Sequence, residues 1–316
     1  MDHIATPQKP KIVVADPVHA DGLKALQFWA DVTYTPDREQ IGQIPDAQAL
    51  VVRAPVTAEV LCRMPHLKAI VRCGAGIDGI PKHYAETNGI QVMNTPGANS
   101  NTVAEYVFGS VLEVLRDIAG YNQGMRSGDW QRRNIARTHS FELKGRRLGI
   151  VGMGAIGQRV AEIGHYGFGM PIQATVMTPR TMPDFVSLVD IDTLAQTSDV
   201  LVLCSRLDEG TRGLVGSVQL NNMPAGSILV NVARGAVIDE TALRAFAADS
   251  GRKVALVLDV HHTSPLPLDH PLMHAPLCWL TPHIAGITAD SERQMGLMTH
   301  RVLAQFFAEL SGRFDR

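Results

Sequence analysis

The sequence predicts two α/β domains, each a parallel sheet wrapped by crossover helices. Three observations lead there. Short apolar runs alternate with longer helical patterns along nearly the whole chain. A strong Pro/Gly interruption at Asn94-Thr95-Pro96-Gly97 divides these runs into two series. At 316 residues the chain is too long for one ordinary hydrophobic core, and its 45% apolar content excludes a disordered polymer.

In the first series the strand candidates are residues 12–15, 49–52, 68–73 and 90–93. After the interruption, Thr102 and Glu105 form a T-x-x-E pattern that predicts a helix start. Val103, Val107, Phe108, Val111, Leu112 and Leu115 then repeat at helical spacing, so a long helix opens the second domain. Six further strand candidates follow at 148–151, 173–177, 200–204, 228–232, 254–258 and 277–280, enough for a doubly wound sheet. The tail, 290–310, reads as one amphipathic helix, with Met295, Leu297, Met298, Val302, Leu303, Phe306 and Phe307 mostly three and four apart.

Charge and cysteine usage narrow the function classes. With 29 basic and 31 acidic residues, the net charge of -2 provides no field to gather nucleic acid or an anionic membrane. Cys62, Cys73, Cys204 and Cys278 are far apart and form no CxxC pair, which speaks against a disulfide framework or a zinc cluster and suits a reducing cytoplasm. Neither a signal peptide nor an apolar run of membrane-spanning length is expected.

The most informative motif is Gly152-Met153-Gly154-Ala155-Ile156-Gly157, which follows a strand candidate and opens a helical pattern. In that context the first glycine permits a tight turn, the second lets the backbone approach a pyrophosphate, and the third allows close helix-to-strand packing. Free N–H groups at the helix start favour the phosphates. A Rossmann dinucleotide-binding domain is therefore expected. A methyl donor on a related sheet is the main competing ligand.

Cofactor choice is read about 20 residues further on, where a carboxylate usually holds the adenosine ribose 2'-hydroxyl. No acidic residue lies between Glu162 and Asp184, and the strand end carries Thr178, Arg180 and Thr181. An uncharged Thr178 does not repel a 2'-phosphate, and each charge-assisted hydrogen bond from Arg180 or Thr181 is worth about 1.5–3 kcal/mol. NADP is expected over NAD, with NAD kept open. The competing reading makes Arg180 a solvated loop residue.

Polar residues just past consecutive parallel strands converge in space. Arg234, Asp259 and His283 occupy such positions. A guanidinium can clamp a carboxylate, a carboxylate can accept from a nicotinamide amide, and an imidazole can pass a proton near neutral pH. Taken singly, each has a plainer reading, as a turn residue, a buried acceptor and a helix cap.

These residues sit in motifs that resemble the D-isomer-specific 2-hydroxyacid dehydrogenases, a family that includes phosphoglycerate dehydrogenases and glyoxylate/hydroxypyruvate reductases. The resemblance covers 67–78 (through Gly74-Ala75-Gly76-Ile77-Asp78), 94–100, the GMGAIG loop, Asn231-Val232-Ala233-Arg234-Gly235, Leu258-Asp259-Val260 and Thr281-Pro282-His283-Ile284. It implies a flavodoxin-like substrate domain, 1–101 plus 285–316, into which a dinucleotide-binding domain, 102–284, is inserted, with the active site in the cleft. It further implies that Arg53, Ala75 and Gly76 line the substrate carboxylate site and that Arg234 clamps the substrate. His283 is then the acid/base, and Val232, Ala233, Cys204 and Asp259 join the cofactor site. A homodimer built on the helix after Asn101 and the segment through Trp130 is implied as well.

Two departures matter. Where the family places a glutamate that pairs with the catalytic histidine, this chain has Ser264, which can orient but cannot supply the charge that holds a proton on imidazole. His261 and His262 are substitute partners to consider. A metal at these histidines with His270 and His274 is not expected, because no carboxylate or cysteine completes the spacing. Cys204-Ser205-Arg206 replaces a His-x-Pro turn and resembles the NADP-linked glyoxylate/hydroxypyruvate reductases, although a small buried strand-end residue is the commoner fate of cysteine. Arg72 is either a reader of a second anionic group or a surface arginine.

The expected activity is thus reduction of a small 2-oxo acid to the D-2-hydroxy acid, of glyoxylate/hydroxypyruvate type. Two alternatives remain: a phosphoglycerate-dehydrogenase-like enzyme, weakened by the absence of an extra C-terminal regulatory domain from the sequence, and a catalytically weak dinucleotide-sensing binding protein.

Overall fold

The computed structural model describes residues 9–249, 251 and 253–312. The chain divides into two units, one from the described N-terminal residues through Asn99 together with those from Ile287 onward, the other Ser100–Gly286.

The first unit is a five-stranded parallel sheet: β1 (Lys11–Val14), β2 (Asp31–Tyr34), β3 (Ala49–Val52), β4 (Ala69–Arg72) and β5 (Gln91–Asn94), in the order β2-β1-β3-β4-β5. That is the flavodoxin-like order. Central strands β3 and β4 are buried on both faces, which is why they read as uninterrupted apolar runs. Edge strand β2, Asp-Val-Thr-Tyr, has no such run and escapes detection from sequence because only one neighbour supports it.

The C-terminal helix Ala289–Leu310 starts at Thr288, whose hydroxyl accepts from Ser291 N while Ser291 Oγ accepts from Thr288 N. Its buried residues Met295, Thr299 and Leu303 recur every four residues. It lies against helix Ala20–Trp29 so closely that a Cβ on Gly22 would come within 2.4 Å of the Gly296 backbone.

The second unit holds seven parallel strands: β6 (Leu148–Val151), β7 (Ile172–Thr175), β8 (Val186–Leu188), β9 (Val200–Leu203), β10 (Ile228–Asn231), β11 (Ala255–Leu258) and β12 (Cys278–Leu280). Their order, β12-β11-β10-β9-β6-β7-β8, reverses direction between β6 and β9, the switch point of a Rossmann sheet. Both doubly wound sheets agree with the expected fold class. The short strand β8 is one more than the sequence predicts; Val-Ser-Leu is too brief and half exposed to register as a run.

The helix opening this unit, Ser100–Arg116, begins two residues before the expected cap. Thr102 lies inside it, and Glu105 accepts from Asn101 one turn back rather than closing a capping box. Val103, Val107, Phe108, Val111 and Leu115 are buried on one face, as their spacing requires. Among the described residues no helix is long and apolar enough to cross a membrane.

Candidate functional site

In the seven-stranded unit, β6 ends at Val151 and the chain turns at Gly152, whose φ of +92° lies where side chains are strained. A Cβ there would also meet the Cys204–Ser205 backbone past β9, at 2.8 Å from Ser205 Cα. Gly152 thus brings the glycine loop against the neighbouring strand end at the switch point. Gly154 caps helix Ala155–Glu162, and a Cβ built on it meets nothing within 4 Å. Gly157 is the reverse case: its Cβ would sit 2.1 Å from Gly152 O. One glycine therefore shapes the turn, one leaves space before a helix N-terminus, and one packs against the loop itself. The open cradle at Gly154, with the first N–H groups of the helix behind it, fits a dinucleotide pyrophosphate.

Thr178 and Arg180 are exposed beyond β7, and Arg180 Nη1 donates to Met153 O inside the glycine loop, so the guanidinium stands beside the cradle. Cys204 is half-buried just after β9, where burial pushes its thiol up to about 12. It remains a neutral wall group, without the thiolate a nucleophile needs.

The adjacent strands β10, β11 and β12 carry the three polar candidates. Asn231 faces Leu258, and Leu258 faces Leu280, so the residues just beyond are neighbours. Asn231 is buried and shapes its own turn: Oδ1 accepts from Ala233 N at 3.0 Å and Nδ2 donates to Arg234 O at 3.0 Å. Arg234 Nη1 donates to Ala233 O at 2.6 Å. Val232 and Ala233 are buried between.

Asp259 is 1% exposed and its carboxylate accepts three hydrogen bonds, from Thr281 Oγ1 (2.6 Å), Ile284 N (2.7 Å) and Ala285 N (2.8 Å). Its carbonyl accepts from His283 N at 2.9 Å. Thr281 Oγ1 gives its proton to Asp259, so the 2.6 Å contact between Tyr106 and Thr281 must be donated by the phenol. Burial raises the Tyr106 pKa, which keeps that donor protonated. His283 is held in this frame at φ +58°, a left-handed conformation that a non-glycine residue adopts only when its surroundings impose it. Tyr106, Thr281 and Asn231 are the supporting residues that motif reading alone did not single out for a role.

Ser264 is exposed on the loop after β11. His261 Nε2 donates to Thr281 O at 3.0 Å, and His262 Nε2 to Ile238 O at 2.8 Å, also near Glu240. His270 is buried with Nε2 2.9 Å from Glu240. The His262 and His270 rings tie the loop to the segment after Arg234, and the His261 ring ties it to the end of β12. No set of three or more His, Cys, Asp or Glu able to hold a metal occurs among the described residues.

A family model described as D-isomer specific 2-hydroxyacid dehydrogenase, NAD binding domain, matches residues 108–285. The chain belongs to the D-isomer specific 2-hydroxyacid dehydrogenase family. It is 35% identical to a hydroxypyruvate reductase of Thermotoga maritima over 95% of this chain and 98% of that one. It is 33% identical to a D-3-phosphoglycerate dehydrogenase of Archaeoglobus fulgidus over 91% of this chain, but spans only 55% of that relative's length. Among solved structures it resembles an NADPH-dependent glyoxylate/hydroxypyruvate reductase from Sinorhizobium meliloti in complex with NADP and malonate. The TM-score is 0.81 and the identity 25%, over 95% of this chain and 94% of that one.

The other candidate residues lie in the five-stranded unit. Ala15 N bonds Val51 O, which sets Asp16 beside the end of β3, and Val52 faces Arg72, so Arg53 and Cys73 are neighbours. Asp16 accepts from Arg38 through both oxygens and from the backbone N–H groups of Arg53 and Ala54. Burial acts to raise its pKa, but Arg38 and the two N–H groups outweigh it and hold the carboxyl below its usual range. Arg53 forms an ion pair with Glu292 of the C-terminal helix. Gly74 at φ +141° donates to Thr95 Oγ1 and leads into exposed Ala75 and half-buried Gly76. The Arg72 guanidinium folds over Gly74. Cys73 is buried, which pushes its thiol up.

Proposed function

We propose that this chain reduces small 2-oxo acids of the glyoxylate/hydroxypyruvate type to D-2-hydroxy acids, with NADPH preferred over NADH. The observation that carries this reading is the Asp259 frame past β11, which holds the backbone of His283, Ile284 and Ala285 past β12 on one side, with the Arg234 turn past β10 on the other. A bound nicotinamide dinucleotide supplies hydride to the carbonyl carbon. Residues 152–157 hold the diphosphate with backbone N–H groups. Arg234 forks the substrate carboxylate and polarises the adjacent carbonyl. His283 gives the proton to the carbonyl oxygen, a role worth about 10²–10⁴-fold in rate. The unit Ser100–Gly286 serves the cofactor, and the five-stranded unit, with Arg53, Ala75 and Gly76, serves the acid.

The testing experiment is a matrix of NADH and NADPH against glyoxylate, hydroxypyruvate and a wider 2-oxo acid panel, followed at 340 nm. Arg180→Ala should lower the NADPH-to-NADH ratio of kcat/KM about tenfold, the weight of one charge-assisted hydrogen bond. An unchanged ratio removes Arg180 from the 2'-phosphate site. Ser264 favours a second reading, a dinucleotide sensor with little turnover, for which tight NADP(H) binding without reduction of any acid is the signature. If the enzyme turns over, the missing carboxylate should make its reductive activity fall at lower pH than in Ser264→Glu. Identical alkaline limbs would sink that expectation.

The chain also has a candidate homodimer surface. Ile118, Met125, Trp130, Ile135 and Phe141 are exposed, four of them around a hollow of about 590 Å³ lined also by Arg116, Arg132 and Arg133. Sedimentation at increasing concentration should show a dimer that Trp130→Glu weakens. Four free cysteines suit a reducing cytoplasm, which fractionation of expressing cells would test.

A further inference from the structure

We propose that Glu292 determines substrate specificity: paired with Arg53, it selects 2-oxo acids with an uncharged, hydrogen-bond-donating tail against those with a second anionic group. The inference rests on the reductase reading, in which Arg234 takes the substrate's own carboxylate and Arg53 faces the rest of the acid. Arg53 follows β3 and is the side chain on which an anionic substrate group would settle, yet its Nη1 is engaged by Glu292 Oε2. The pair is only about one-quarter exposed, so water screens it weakly. The other oxygen, Glu292 Oε1, is buried with no hydrogen-bond partner. A buried acceptor left unsatisfied favours any ligand that brings a donor to it.

The Asp16 side of Arg53 offers a second anion little compensation. Asp16 adds negative charge beside Arg53, and Arg38 Nη2 donates to both of its carboxylate oxygens while Nη1 is buried. Cys73 is buried, protonated and next to the pair, so it contributes bulk and no positive charge. A phosphate or second carboxylate brought to Arg53 would meet the Glu292 carboxylate, and like charges placed together at a recognition surface are strongly disfavoured. A hydroxyl tail carries no charge for Glu292 to repel, and a small turn of the carboxylate would let it donate to Oε1. Arg72, folded over Gly74, is a nearby cation with the opposite tendency.

The test compares hydroxypyruvate with 3-phosphohydroxypyruvate, which differ by the phosphoryl group alone. The parent should favour hydroxypyruvate in kcat/KM, and Glu292→Gln should shift the ratio toward the phosphorylated acid by about tenfold or more. Glu292→Asp keeps the charge and should keep the parental ratio, which separates selection from general damage to the helix. Calorimetric titration of NADP-loaded protein with D-glycerate and 3-phospho-D-glycerate reads the same discrimination without turnover. A shifted binding ratio with no reduction of any acid overturns the reductase reading and leaves the selection standing. Equal ratios in parent and Glu292→Gln, by both rates and binding, overturn the selection. So does a parent that already prefers the phosphorylated acid, since Arg72 then reads the second charge.

Discussion

The strand ends of the two units hold their charged side chains in different ways. In the seven-stranded unit the ties run to backbone: Asp259 accepts from Ile284 N and Ala285 N, and Arg180 donates to Met153 O. In the five-stranded unit they are paired with one another: Arg53 with Glu292, and Arg38 with Asp16, which also accepts from Arg53 N and Ala54 N. Backbone ties fix a group while leaving its charge available to a reactant. Ion pairs cancel charge and can be exchanged for a ligand. The first arrangement suits chemistry that depends on geometry to a fraction of an ångström, the second a filter among incoming anions.

The largest effect that can break this contrast belongs to His283. His283→Asn removes the proton donor but suits φ +58°, so kcat/KM should fall about 10²–10⁴-fold while unfolding free energy in urea moves by no more than about 1 kcal/mol. Retained turnover would take His283 out of the chemistry. Next comes Asp259→Ala, which leaves two backbone donors and the Thr281 hydroxyl without their acceptor in a site closed to water. It should cost about 2–4 kcal/mol of stability together with most of the activity. A stable, active variant would show that the backbone tie is dispensable.

The smallest effect concerns Asp16. Its folded pKa is depressed, so the stability it contributes is present above the ordinary carboxylate pKa of about 3.9 and disappears as pH falls through the folded value. Thermal unfolding from pH 5 to pH 2 should therefore fall less steeply for Asp16→Asn than for the parent. Parallel curves would mean that Arg38 does little for the carboxylate.

Much of this arrangement was legible in the sequence because doubly wound sheets place functional groups by topology. Buried parallel strands such as 148–151 and 49–52 announce themselves as apolar runs, and residues just past them converge. The edge strands at Asp31–Tyr34 and Val186–Leu188 were not legible, since exposure erases the pattern. The helix Ser100–Arg116 was recognised by its buried face, while its start was misread because T-x-x-E also occurs inside helices. The glycines revealed a phosphate loop, but not that Gly154 alone is the open one. Tyr106 and Glu292 gave no local signal: each acquires its partner across more than 170 positions of chain.

Gly22 and Gly296 meet almost backbone to backbone, with 273 residues between them along the chain. The N-terminal sheet thus gains this helix only after every residue of the seven-stranded unit has been synthesised. Such a long loop slows closure, so that unit can complete its own core first on the ribosome, while the five-stranded sheet waits with the seat of the last helix exposed. A bulky side chain at either glycine would then act chiefly on the yield of refolded protein, by leaving that seat open to other chains.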